Sequence, residues 1–142
     1  MKRWTVLALP VLALGAAAFA KPHREAPAAT IRVRMLQQGT RYLYEPANFT
    51  VRVGDIVEFV NINGFPHNVQ FDPTKIPQGA RDWLMRSMPN RVGNTLGGPM
   101  MLQANQVYRM NFTGAPLGTY DYFCLPHLAL GMKGVITVAA AR

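Results

Sequence analysis

The chain has 142 residues, a length that fits one domain, and its 15 Lys and Arg against 7 Asp and Glu give a formal net charge of +8. It contains one cysteine, so an intramolecular disulfide is excluded and the domain has to fold without one. The basic residues are scattered singly, which argues against nucleic acid as a partner and favours an acidic protein or an anionic membrane surface.

The first twenty residues have the pattern of a secretory signal peptide. A basic start, Lys2 and Arg3, precedes an apolar run over residues 5–19, and residues 18–20 supply the small side chains that signal peptidase reads. The run is shorter than the roughly 20 residues that a helix needs to span a bilayer. We therefore expect cleavage after Ala20 and export to the periplasm or beyond, with an uncleaved anchor as the alternative.

Residues 21–29 are rich in Pro and Ala and are predicted to form a flexible leader before a domain over residues 30–142. From Thr30 onward, apolar side chains recur at every second position, which is typical of strands with one buried face. Turns rich in Gly, Pro and Asn separate these strands, which are predicted at residues 31–35, 49–53, 56–61, 67–71, 107–112, 118–124 and 134–139. The pattern favours an all-β antiparallel sandwich or barrel.

One stretch departs from this alternation. Residues 78–88 contain good helix formers and predict a short helix within a crossover loop, and residues 89–100 predict an irregular loop. Four methionines lie in or near this stretch, at positions 85, 88, 100 and 101. They could capture copper(I), but at this spacing packing in the core is the favoured use.

A loop between the last two predicted strands carries three residues with metal-binding chemistry. Cys124, His127 and Met132 give the spacing C-x2-H-x4-M, and His67 lies far upstream at the start of another strand. Two imidazoles, one thiolate and a weak axial thioether form the ligand set of blue-copper electron-transfer sites. Each residue alone has an ordinary structural explanation, the Cys and Met as buried apolar groups and His67 as a hydrogen-bonded or surface histidine.

Two other chemistries fit this set less well. Structural zinc sites favour four Cys and His ligands and do not use methionine. A nucleophilic Cys124 activated by His127 would need an Asn or Asp placed to orient the imidazole, and the loop provides neither. The combination therefore predicts one mononuclear copper site.

Several segments resemble the plastocyanin/azurin-like cupredoxins, with plastocyanin, pseudoazurin and amicyanin as the most similar members. Residues 120–127 (YDYFCLPH) and 131–138 (GMKGVITV) resemble the C-terminal region of the family, and residues 53–61 (VGDIVEFVN) and 65–69 (FPHNV) resemble earlier segments in the same order. The resemblance implies a Greek-key sandwich of about eight strands with copper at one end. It also implies that the ligands are His67, Cys124, His127 and Met132.

Residues beside the ligands suggest further roles. The backbone N–H of Asn68 is expected to donate to the sulfur of Cys124, and its side chain to tie the two ligand loops together. Pro126 has no N–H, so it withholds a second donor from that sulfur, which predicts a lower reduction potential. An apolar patch is expected around His127, formed by Pro66, Leu125, Pro126, Leu128 and Leu130.

The predicted function is one-electron transfer between a donor and an acceptor redox protein, through a type 1 copper that cycles between Cu(II) and Cu(I). The chain is not expected to be an enzyme, because multicopper oxidases and copper nitrite reductases need further histidine-rich sites. We expect an exported monomer without stable membrane insertion, whose partners are acidic or membrane-associated. The alternative is a periplasmic protein for copper storage or delivery. Such sites need open, exchangeable ligation, and the full set with Cys124 argues against one.

Overall fold

The computed structural model describes residues 26–142, so the predicted signal peptide and residues 21–25 of the leader lie outside the described residues. Eight strands, one α-helix and one 3₁₀ helix occur in this part of the chain. The strands are β1 (Thr30–Gln38), β2 (Arg41–Glu45), β3 (Asn48–Arg52), β4 (Ile56–Asn61), β5 (Gln70–Phe71), β6 (Val107–Asn111), β7 (Gly118–Phe123) and β8 (Lys133–Ala139); the helices are α1 (Ala80–Ser87) and a 3₁₀ helix (Leu125–Leu130). Over residues 26–142, neither helix is long and apolar enough to cross a bilayer.

The strands form two four-stranded sheets, in the orders β2-β1-β4-β6 and β3-β8-β7-β5. The predicted β-sandwich is therefore confirmed, but its sheets are mixed, whereas the alternation had suggested an antiparallel arrangement. Strand β1 runs parallel to β4, and β3 runs parallel to β8. Side-chain alternation reports which face of a strand is buried and carries no information on the direction of its neighbour, so the two parallel pairs could not be foreseen.

Most predicted elements are found close to their expected positions. Helix α1 lies inside the predicted 78–88 segment. The predicted strand at 67–71 is reduced to Gln70–Phe71, because His67 pairs instead with Met101 in an isolated bridge. Strand β2 was not predicted at all.

Aromatic rings fill the space between the two sheets. Tyr122, on β7, lies at their centre, and the ring centroids of Tyr44, Phe49, Phe59 and Phe71 lie 4.7–6.3 Å from its own. Tilted and edge-on contacts at these distances are favourable beyond the area that they bury. The core therefore joins β2, β3, β4, β5 and β7 into one rigid unit.

Asp55 is a buried carboxylate that joins three separate segments. It accepts hydrogen bonds from the backbone N–H groups of Ala29 and Arg52, both at 2.9 Å, and pairs with Arg142, whose Nη1 lies 2.6 Å from Oδ1. Burial by itself would raise the pKa of Asp55, but these donors hold it below its usual value. The start of β1, the turn after β3 and the segment after β8 are therefore held together at one point.

Candidate metal centre

The loop between β7 and β8 brings three candidate ligands together. Cys124 follows β7, His127 lies in the 3₁₀ helix and Met132 precedes β8. The backbone N–H of Cys124 donates to the carbonyl of Met132 at 3.0 Å, and that of Met132 donates to the carbonyl of His127 at 3.2 Å. Gly131 ends the 3₁₀ helix with φ 82°, a conformation that favours glycine and lets the chain turn into β8.

The fourth candidate, His67, lies in the connection between β4 and β5. Its backbone N–H and carbonyl both pair with Met101, at 3.0 and 2.8 Å. The buried side chain of Asn61 supports the same segment, since its Nδ2 donates to the carbonyls of Phe65 at 2.8 Å and Met101 at 3.2 Å, and its Oδ1 accepts from Gly64 N–H at 3.0 Å. Sequence reasoning missed Asn61; the available signal was a lone amide at the end of the apolar strand IVEFVN.

The ligand atoms converge on one buried point. The Nδ1 atoms of His67 and His127 lie 3.7 and 3.4 Å from Cys124 Sγ, and the three atoms all lie within 4.8 Å of one another. When a nitrogen and a sulfur atom bind the same metal ion at trigonal to tetrahedral angles, the two atoms lie roughly 3.4–3.8 Å apart. The spacing and the donor set therefore fit a copper ion, with Met132 fully buried beside the other three.

Burial sets the protonation of the donors. Burial and, to a smaller extent, the nearby His127 lower the pKa of His67 to about 4, and burial also lowers the pKa of His127. Both imidazoles are therefore neutral at pH 7 and offer lone pairs to a metal. Burial raises the pKa of Cys124, and the neighbouring backbone of Asn68 and His127 and the side chain of Tyr44 partly offset that rise. Metal binding at the thiolate would release the proton that the buried thiol otherwise keeps.

Asn68 links the two ligand loops, as predicted. Its backbone lowers the pKa of the Cys124 thiol, as an N–H directed at the sulfur would. Its Oδ1 accepts the backbone N–H of Leu125 at 2.7 Å, and its carbonyl accepts the hydroxyl of Tyr44 at 2.6 Å. The backbone of His127 acts on the same pKa in the same direction, and its N–H donates to the Cys124 carbonyl at 3.1 Å.

A side chain from β2 contacts the site and was missed with that strand. The ring of Tyr42 stacks on the imidazole of His127, with centroids 3.8 Å apart and planes at 11°. It also makes edge contacts with His67 and Phe65, at centroid distances of 6.3 and 6.0 Å. The pair Tyr42-x-Tyr44, with both side chains on one face of a strand, was the sequence signal.

The surroundings of the site are apolar and open. Leu125, Leu128 and Leu130 are 53%, 45% and 60% exposed, and Phe65 is 40% exposed. Pro66 and Pro126 are also exposed, so the predicted patch does form around His127, a residue that is itself 9% exposed. Of the four methionines at 85, 88, 100 and 101, those at 88 and 101 are buried in the core and that at 85 packs against it, while that at 100 is exposed.

Comparison with known proteins agrees with this architecture. A family model for copper-binding proteins of the plastocyanin/azurin family matches residues 31–139. Plastocyanin from Nostoc punctiforme is 33% identical over 139 residues, which cover 97% of this chain and 94% of that protein. Plastocyanin from Scenedesmus fuscus is 36% identical over 109 residues, which cover 76% and 98% of the two chains.

Solved structures show the same likeness. Oxidised plastocyanin from Dryopteris crassirhizoma superposes with a TM-score of 0.58 at 25% identity, over 76% of this chain and 99% of that one. A pseudoazurin from Sinorhizobium gives a TM-score of 0.56 at 27% identity, over 78% and 74% of the two chains. The likeness therefore covers the sandwich as well as the sequence around the site.

Proposed function

Because the chain belongs to the plastocyanin/azurin family of copper-binding electron carriers, we propose that it binds a single type 1 copper. The proposed ligands are His67, Cys124, His127 and Met132. The protein then passes single electrons between a donor and an acceptor redox protein. The observation that carries the proposal is the convergence of two Nδ1 atoms on one thiol sulfur, at 3.4 and 3.7 Å, in a buried pocket.

The chemistry of the donors suits an electron carrier. Copper, when bound here, supplies the Cu(II)/Cu(I) couple; thiolate and thioether favour the reduced state and imidazole suits both. The backbone bonds of the ligand loops, including the double pairing of His67 with Met101, hold the donors in one arrangement. A fixed arrangement keeps the structural change on electron transfer small, which favours fast exchange. All four donors come from the chain and the pocket is buried, so substrate has no open coordination position and we infer no catalysis.

Electrons are proposed to enter and leave through His127. The residue keeps 9% exposure beside the exposed side chains of Phe65, Leu125, Leu128 and Leu130, and apolar patches of this kind mark contact sites. Arg41 and Lys133 line a depression with Leu130 and form no ion pair within residues 26–142. Together with the positive net charge, they favour an acidic or membrane-associated redox partner.

Export is part of the proposal and rests on residues 1–20, with their basic start, short apolar run and small residues at 18–20. The mature protein would begin at Lys21 and act as a monomer in the periplasm or another exported location. Intact-mass measurement of the protein recovered from the exported fraction tests the cleavage. A mass that retains residues 1–20 would contradict it.

Absorption spectroscopy tests the assignment of the site. The Cu(II)-loaded protein is expected to show an intense blue band from charge transfer between the thiolate and copper, and Cys124→Ser is expected to remove it while far-UV circular dichroism stays unchanged. Retention of the band by Cys124→Ser would refute the site. Reversible one-electron voltammetry then separates a carrier from a storage or delivery protein, because the latter is expected to lose copper on cycling.

A further inference from the structure

The imidazole of His127 is held at its edges by few contacts, one of them with the ring of His67 at a centroid distance of 5.1 Å and an interplanar angle of 64°. The backbone of His127 has non-helical dihedral angles inside the 3₁₀ helix, φ −120° and ψ 16°. Both of its chain neighbours, Pro126 and Leu128, are exposed. Within residues 26–142, the hydrogen-bonding contact found for the ring is the one from Nδ1 to Cys124 Sγ. A ring held by one hydrogen-bonding contact and one edge contact still lacks a restraint over its face.

Tyr42 supplies a contact of the required geometry. Its ring lies parallel to the imidazole at a centroid distance of 3.8 Å, and it is itself bounded by the ring of Phe65 at 6.0 Å. Stacking over the whole face of an imidazole resists rotation of that ring out of plane, which a contact at one edge does not.

The position of Tyr42 is fixed in turn by its own strand. Tyr44, two residues further along β2 and on the same face, is buried and donates its hydroxyl to the Asn68 carbonyl at 2.6 Å. Its ring also packs on Tyr122 at 4.7 Å. Strand β2 lies at the edge of its sheet and pairs with β1 alone. It therefore reaches both ligand loops, one through each tyrosine.

We propose that Tyr42 is a positioning residue of the metal centre, whose stacked ring holds the His127 imidazole in the orientation that points Nδ1 towards the metal position, with or without metal. The inference rests on the ligand assignment made above and adds to it a residue that is not itself a ligand. A donor that is already oriented loses less freedom when the metal binds, so the stack is expected to slow copper loss.

Two variants, Tyr42→Phe and Tyr42→Leu, separate the effect of the aromatic ring from the effect of the other parts of the side chain. Tyr42→Phe keeps the stacking surface and is expected to behave as the wild-type protein. Tyr42→Leu keeps apolar bulk and removes the ring. Since an aromatic pair contributes about 0.5–1.5 kcal/mol, Tyr42→Leu is expected to release Cu(I) to a chelator about 2- to 12-fold faster. Phe49→Leu on β3 serves as the matched control, because it removes a partly buried ring that packs on Tyr122 and is not stacked on His127.

NMR of the metal-free protein gives a readout that does not depend on copper. The wild-type protein and Tyr42→Phe are expected to show ring-current shifts of the His127 ring protons and nuclear Overhauser contacts to residue 42, and Tyr42→Leu is expected to lose the shifts. Absence of these signals in the wild-type protein would overturn the proposal even if Tyr42→Leu failed to fold. Unchanged copper release in a folded Tyr42→Leu would also overturn it. A wild-type protein that shows the stack but binds no copper would instead refute the proposed function.

Discussion

Pro126 lies between Leu125 and His127 in the loop that carries Cys124, and it has no N–H to donate. The backbone of Asn68 and of His127 already lowers the pKa of the Cys124 thiol, as N–H groups directed at the sulfur would. Each donor draws electron density from the sulfur and so stabilises the reduced site relative to the oxidised one. The missing donor at position 126 should therefore leave the thiolate more electron-rich than a third N–H would.

The variant Pro126→Ala tests this reasoning. It introduces one backbone N–H beside the sulfur and is expected to raise the reduction potential, measured by voltammetry of the copper-loaded protein. Leu125→Ala is the control, because it alters the exposed patch next to the site and leaves the number of N–H groups unchanged. A potential that stays the same in Pro126→Ala, or moves equally in both variants, would contradict the role of the proline.

At the scale of elements, the ligand loop is the part most accessible to sequence reasoning. The C-x2-H-x4-M spacing is local, so one short segment predicts three of the four candidate ligands. The contacts that orient them are not local. Asn61 is buried against a carbonyl forty residues further along the chain, that of Met101, and no periodicity reports such a contact.

Strand β2 shows a different limit. Leu43 between Tyr42 and Tyr44 makes a run of three apolar residues, so the alternation that identifies the other strands is lost. Pro46 follows directly, and a proline so close argues against a strand at the level of sequence. The strand forms because its two tyrosines make tertiary contacts, the partly buried Tyr42 with His127 and the buried Tyr44 with Tyr122. The residue of greatest interest after the ligands was therefore missed for a physical reason.

Gly134 on β8 marks a close approach between strands that can be tested directly. A Cβ built there would lie 2.0 Å from the carbonyl oxygen of Ala47 and 2.8 Å from the ring of Tyr122. The Ala47 carbonyl belongs to the backbone and the Tyr122 ring is packed in the core, so neither can move easily to make room. Gly134→Ala is therefore expected to lower the free energy of unfolding by about 1–3 kcal/mol. Urea denaturation measures the change. The neighbouring exposed Lys133→Ala should alter it by about 0.5 kcal/mol or less, and equal effects would contradict the steric argument.

At the scale of the whole molecule, Asp55 connects the beginning and the end of the domain. Its folded pKa is lowered by Arg142 and by two backbone N–H groups despite its burial. A carboxyl with a lowered folded pKa contributes stability that is complete above its unfolded pKa of about 3.9 and is lost as the pH falls through the lower folded value.

We therefore expect Asp55→Asn to be less stable than the wild-type protein at pH 7, with the difference shrinking as the pH falls below about 4. Free energies of unfolding measured from pH 7 to pH 3 on the metal-free proteins would show this. Asp82→Asn on α1, at an exposed position, is the control and should show a smaller difference at pH 7. A difference for Asp55→Asn that is constant across this pH range would mean that the charge of the carboxylate is not what joins the segments.

The distribution of positive charge also predicts how the whole molecule meets its partners. Arg41 and Lys133 lie beside the exposed patch, whereas Arg81 lies on α1, which packs through Trp83 against Phe112 and away from the ligand loops. Charges near the point of electron transfer steer an oppositely charged partner, and salt screens them with a Debye length of about 10 Å at 0.1 M.

Oxidation of the reduced, copper-loaded protein by anionic hexacyanoferrate(III) is therefore expected to slow as ionic strength rises. Removing the charges near the patch with Arg41→Gln and Lys133→Gln together should slow the reaction several-fold at low salt. Arg81→Gln removes a positive charge far from the patch and should have a smaller effect. Stopped-flow rates at 10 mM and 200 mM ionic strength separate these cases. Equal slowing by the near and distant variants would show that net charge, and not a docking surface beside His127, governs the encounter.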